Sequence, residues 1–240
     1  YVDAQNTFPG HAVPREAVVY VNEPSEGSIR IVETRVTRPP EGSTAPPQVS
    51  YLPADPTKSQ SNVAFEAPLT VEVVDRDAAK DSRSRTMVVL ETTDGAKIEV
   101  DCVVSDALIE GPGGIRRALE EGRFVGQVIL QLGSKHSPDV VPLAPGMPRS
   151  LIGGGRLSEE DAPAQGETLV TRVLNLTGKD TILARYEDKL RPSGPPRNLE
   201  GQGRLIANGT LACTDRDYDK PITQLHVGEK MFILIVDADL

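Results

Sequence analysis

The chain has 240 residues, a formal net charge of −9 from 26 Lys and Arg against 35 Asp and Glu, a hydrophobic fraction of 38% and only 4% aromatic residues with no Trp. This acidity argues against a nucleic-acid partner, whose phosphates are held by clustered Lys and Arg, and the scarcity of rings removes the stacking platforms used for sugars and single strands. No apolar run approaches the roughly 20 residues of a membrane-spanning helix, while 21 Gly and 20 Pro predict a turn-rich chain of small β modules.

Strand-like runs rich in β-branched residues occupy residues 16–22, 28–36, 68–75, 86–92, 96–104, 123–132, 168–176, 181–186, 209–214 and 230–236. Leu69, Val71 and Val73 alternate with Thr70, Glu72 and Val74, the pattern of a strand with one face buried. Asp94-Gly95 between two such runs predicts a tight hairpin, because the dipeptide tolerates positive φ. Only residues 115–121 read as helix, about two turns long. Residues 138–148, with four prolines, and the glycine-rich residues 151–156 read as a linker.

A repeat runs through this pattern. At a shift of 162 residues, Asp217, Lys220, Val236, Asp237 and Asp239 fall on Asp55, Lys58, Val74, Asp75 and Asp77, while Met231, Ile233 and Ile235 fall on Leu69, Val71 and Val73. A weaker match at a shift of 153 sets residues 22–29 on 175–182, and the two agree if a small insertion sits near residues 198–205. The expected order is a module of one type at 1–62, a second type at 63–148, the first type again at 149–224, and one opening strand of the second type at 225–240. That last strand is apolar on both faces and has no evident partner nearby in sequence, so it is expected to pair outside its own module.

Val73-Val-Asp-Arg-Asp77, Leu119-Glu-Glu-Gly-Arg-Phe-Val-Gly126 and Gly178-Lys-Asp-Thr-Ile-Leu-Ala-Arg-Tyr186 resemble the tandem immunoglobulin-like repeats of very large bacterial and archaeal surface proteins. Such repeats carry Asp-x-Asp-Leu-Asn, Glu-Thr-Gly-x-Phe-x-Gly and Gly-Asp-x-Ile-x-Ala-x-Tyr in succession. Here Ala78-Ala79 stands for Leu-Asn and Glu121 for the Thr. The resemblance implies an all-β chain of tandem immunoglobulin-like β-sandwich modules in a surface layer, adhesin or fibre.

Asp215, Asp217 and Asp219 alternate on one short segment, and Asp75 with Asp77 and Asp237 with Asp239 close two strands. Alternate carboxylates suit a hard cation such as Ca²⁺; the competing reading is of solvated turns, in which Asp bonds its own following backbone. The Asp215 cluster is no EF-hand, since Lys220 stands at the invariant Gly and His226 at the bidentate Glu. His11, His136 and His226 have no metal-hydrolase spacing, Gly153-Gly-Gly155 lacks a phosphate-loop ending, and no Gly-x-Ser-x-Gly elbow occurs. Cys102 and Cys213 are either a bridge, in an oxidising compartment, or two separate small hydrophobes. Two Asn-x-Thr matches, at Asn175 and Asn208, stand against about one expected by chance from six Asn and read at most as surface decoration.

The expected function is therefore structural and non-enzymatic: a repeat segment of an extracellular filament, sheath or surface layer, partnered by copies of itself or neighbouring repeats of the same chain. An adhesin-type or accessory module recognising a polysaccharide or protein receptor is the alternative.

Overall fold

The structure is a computed structural model and describes residues 24–40, 42–79, 84–148, 150–162 and 168–239; the strand expected at 16–22 lies outside them. The strands are β1 (Ser28–Val32), β2 (Thr34–Thr37), β3 (Gln48–Tyr51), β4 (Ser61–Ala64), β5 (Leu69–Val74), β6 (Arg85–Thr92), β7 (Lys97–Val104), β8 (Arg123–Leu132), β9 (Val140–Pro142), β10 (Gly154–Gly155), β11 (Val170–Leu176), β12 (Thr181–Asp188), β13 (Arg197–Ile206), β14 (Thr210–Thr214) and β15 (Phe232–Val236), with one helix, α1 (Gly114–Glu121). The chain is predominantly β, as expected. No helix among the described residues is long and apolar enough to cross a membrane.

Most strands join one sheet in the order β1-β5-β8-β7-β6-β12-β13-β4, with β11 parallel to β8. The sheet curls until its ends nearly meet, and the Ser61 hydroxyl of β4 donates to the Ile31 carbonyl of β1 at 2.7 Å. Gly201 and Gly203 make that closure possible, because a Cβ at Gly201 would crowd the Arg30–Ile31 backbone of β1 and one at Gly203 would crowd the Val63 side chain of β4 and the Ile31 side chain of β1. Ile31, Leu69, Val71, Val73, Val88, Leu90, Val100, Phe124, Leu174 and Ile182 fill the interior and are essentially inaccessible. Aliphatic chains supply most of this core, with Phe124 and Tyr186 as its buried rings, which is how a chain so poor in aromatics still excludes water.

The hairpin at Asp94-Gly95 forms, with Glu91 opposite Lys97 and Gly95 at φ 92°. The Thr92 N–H donates to the Ala96 carbonyl, which leaves three residues, Thr93 to Gly95, in the turn, and only Gly95 adopts positive φ there. The run expected as one strand over 28–36 is broken at Glu33, so β1 joins the main sheet while β2 pairs β3 in a separate ribbon.

Two expectations are corrected. Residues 198–205, read as an insertion in a glycine-rich turn, lie within β13, whose ten residues pair with β12 and β4. The linker at 138–156 is laid onto the sheet: β9 pairs β11, β10 pairs β7, and the Gln127 N–H donates to the Ile152 carbonyl at 2.8 Å. The module limits set at 62/63 and 148/149 fall inside this one sheet, the first within β4 and the second between strands that pair across it.

Candidate functional site

The first carboxylate group closes β5. Asp75 is 3% exposed, and its Oδ1 accepts the backbone N–H groups of Asp77 (2.9 Å) and Ala78 (3.1 Å). The Tyr186 hydroxyl of β12 donates to the Asp75 Oδ2 at 2.5 Å. Burial, then that bond, raises the Tyr186 hydroxyl above its ordinary pKa. Asp77 accepts the Ser25 N–H (2.6 Å) and hydroxyl (3.2 Å) on its Oδ2. These two carboxylates act as a clasp, tying the end of β5 to the segment entering β1 and to β12, 111 residues away.

The residues that carried the family resemblance meet around this clasp. The Asp75 N–H donates to the Gly122 carbonyl at 2.8 Å. Gly122 ends α1 at φ 69°, where a side chain would overlap the Asp75 backbone. Phe124 follows on β8 opposite Val73. At the other end of β12, the Asp180 carboxylate accepts four donors: the Thr177 N–H and hydroxyl, the Thr93 hydroxyl and the Asp94 N–H. Burial alone would raise Asp180, but these hydrogen bonds outweigh it and hold its pKa below the usual carboxylate range.

The second group lies in the turn after β14. The Asp215 Oδ1 accepts the N–H groups of Asp219 (3.0 Å) and Lys220 (3.3 Å), while Asp217 and Asp219 are exposed. Tyr218, at φ 60°, sits in the left-handed region within this turn, as a loop built around an Asp side chain permits.

The third group, Asp237 and Asp239, follows β15, at the end of the β14–β15 ribbon remote from Asp215. The side-chain hydrogen bond with Asp239 raises the Asp237 pKa, while that of Asp239 is lowered by the same bond and by the Ala207 N–H. The seven candidate carboxylates thus occupy three separate places. Among the described residues, no group of three or more His, Cys, Asp or Glu side chains gathers in a metal-binding arrangement.

The strand at β15 corrects one expectation. It has a partner nearby in sequence: β14 pairs it antiparallel through Thr210↔Val236, Leu211↔Ile235, Ala212↔Leu234, Cys213↔Ile233 and Thr214↔Phe232. This pair duplicates β1–β5, which pairs Ser28↔Val74, Ile29↔Val73, Arg30↔Glu72, Ile31↔Val71 and Val32↔Thr70. With β15 set on β5 at the shift of 162, β14 falls on β1 at 182, and a Gly (27 or 209) precedes the first strand of each pair.

The clasp is duplicated too. The Asp239 N–H donates to the Asp237 Oδ1 (3.3 Å) as the Asp77 N–H does to Asp75, and the Ala207 N–H donates to the Asp239 Oδ2 (3.1 Å) as the Ser25 N–H does to Asp77. The weaker match at a shift of 153 set β1 on β12, whose partners are β6 and β13; the strand with β1's pairing is β14. Sequence reading missed β14's part, and the signal was the short Gly-Thr-Leu-Ala-Cys, which shares only its glycine with Gly-Ser-Ile-Arg-Ile.

What differs is the surroundings. Val71 and Val73 are fully buried, whereas their counterparts Ile233 and Ile235 are 45% and 61% exposed, with Leu211 beside them at 69% and Met231 at 54%. Among the described residues the ribbon has two strands, and such a ribbon is marginal in water alone. Cys102 is buried and Cys213 is half-buried on the ribbon, and both are free thiols. Neither a protein-family model nor a curated protein sequence matches the chain.

Proposed function

We propose that the chain is a structural repeat segment of an extracellular filament, sheath or surface layer, built of tandem immunoglobulin-like β-sandwich units that join through strand pairing. The observation that supports this reading is the second β1–β5-type pair at β14–β15, which repeats register and clasp while exposing the face that the first pair buries. An apolar ribbon with open edges is a hazard unless a neighbour covers it, and a repeating array supplies that neighbour at every step. The net charge of −9 keeps such surfaces apart elsewhere, leaving the uncharged stretch from Met231 to Val236 as the place of approach.

Two measurements test this. Protease shaving of intact producing cells should release peptides of this chain, and their recovery only after lysis would refute the extracellular part. Sedimentation velocity and negative-stain microscopy, in Ca²⁺ and in chelator, should show concentration-dependent end-to-end oligomers that disappear in the variant Ile233→Glu/Ile235→Glu. A parent that stays monomeric and indistinguishable from the variant at every concentration would refute assembly through the ribbon.

A further inference from the structure

In the complete pair, β5 is covered in three ways. β1 lies on one edge and β8 on the other, with Leu69↔Val128, Val71↔Gly126 and Val73↔Phe124 opposite one another. The core covers the face formed by Leu69, Val71 and Val73. At the strand's end, Asp75 receives the Tyr186 hydroxyl. In the duplicate, β14 supplies what β1 supplies, and β15 has no second strand neighbour among the described residues.

We propose that the free edge of β15 binds an antiparallel strand of the β8 kind from a further unit of this same architecture, and that this unit brings a tyrosine hydroxyl to Asp237. The inference rests on the array reading above and names its partner. The register carries over: a Phe in the place of Phe124 lies opposite Ile235, a Gly in the place of Gly126 opposite Ile233, and a Val in the place of Val128 opposite Met231. The partner's chemistry is thus a strand of pattern Arg-Phe-Val-Gly-Gln-Val, whose glycine lets the facing chains close and whose apolar side chains cover Leu211, Cys213, Ile233 and Ile235.

The state of the acidic end agrees with an unfilled clasp. Asp75 spends its Oδ2 on Tyr186, whereas Asp237 leans on Asp239, which raises its pKa. A tyrosine donor in place of that carboxyl contact favours the ionised form of Asp237 and leaves Asp239 to the Ala207 N–H.

The test uses the whole chain in two arms. In one, the 240 residues are followed directly by a second copy of residues 79–188, since Leu240 stands where Ala78 does. In the other, the parent is mixed with a peptide of residues 122–132 bearing a solubilising lysine tail, or with a scrambled peptide. Expected are slowing of Cys213 alkylation by about tenfold or more and new amide protection confined to residues 210–214 and 231–236. In the extended chain, changing the appended copy's tyrosine to Phe should remove part of that protection.

If the appended copy does not fold, the peptide arm decides. Unchanged Cys213 reactivity with saturating peptide, or a folded extension that leaves 231–236 unprotected, overturns the proposal. Docking is read on single molecules, so an absence of polymers would sink the array reading while leaving this one standing.

Discussion

The strand pairs β1–β5 and β14–β15 share five paired positions, a preceding glycine and a two-Asp clasp, yet one is built into the main sheet and its core and the other is a ribbon on the surface. On the outer face of the first pair, Glu72 is 3% exposed and held by Arg30 (2.5 Å) and Arg123 (2.7 Å). The ribbon has Leu234 and Ala212 in the places of Glu72 and Arg30. Local pairing and turn chemistry therefore set the same geometry twice, and only the strands that follow in space decide whether that geometry is stabilised.

The sharpest break comes from equivalent truncations. Leu69→Ala, at a site 1% exposed, should cost about 2–5 kcal/mol of unfolding free energy, the transfer loss plus a cavity. Met231→Ala, its counterpart at 54% exposure, should stay within about 0.5 kcal/mol. Urea denaturation of both variants checks this, and equal losses would mean that the ribbon is already buried in solution.

Next in size is the clasp. Tyr186→Phe removes the donor to Asp75 Oδ2 and leaves a buried carboxylate oxygen unpaired, costing about 1–3 kcal/mol. Asp237→Asn alters the same position in the copy, where no tyrosine hydroxyl among the described residues hydrogen-bonds the carboxylate, and should change stability by no more than about 0.5 kcal/mol. Thermal melts of the two variants give the ranking, and a larger loss for Asp237→Asn would contradict the picture of an unfilled clasp.

The β5 and β8 strands, the Asp94-Gly95 hairpin and the short helix were legible because alternation, turn chemistry and helix length act over a few residues. β13 was not. Its inward positions include Gly201 and Gly203, which fit against β1 by having no side chain, so the apolar half of its alternation is reduced to Leu199 and Leu205. The polar half, Asn198, Glu200, Gln202 and Arg204, was the available signal.

The carboxylates were legible as strand-end features, and the bonding of an Asp to its own following backbone was one of the two readings offered for them, but the link from Asp75 to β12 was not legible. The donors that occupy Asp75 come from β12 and from its own following turn, and pairing over 111 residues leaves no local trace. The prolines of 138–148 suggested a free linker, while the sheet accepts that segment through the short β9.

A smaller effect concerns pH. Asp180 holds the loop carrying Gly178, against which Ala238 and Asp239 pack, so it ties the ribbon's end to the body. Its folded pKa is lowered, so its stabilisation is present above the unfolded value of about 3.9 and is lost as pH falls through the folded value. Asp180→Asn should be less stable than the parent at neutral pH, and the gap should narrow as pH falls below about 4. A gap that is constant with pH would show that the carboxylate's charge is not what the four donors recognise.

The smallest effect leaves stability untouched and reads the two regions through their thiols. Cys102 is inaccessible on β7, and burial pushes its pKa up to about 12, so at pH 8 it carries almost no thiolate, the reactive form. Cys213 lies half-buried on the ribbon, in the place that Ile31 fills at 1% exposure in the first pair. Native alkylation at pH 8 should therefore modify one thiol, identified by peptide mass spectrometry as Cys213, with Cys102 reacting only after denaturation. If Cys213 is as slow as Cys102 in the isolated chain, the ribbon already has a cover, and the two strand pairs differ less than their exposure in a single molecule implies.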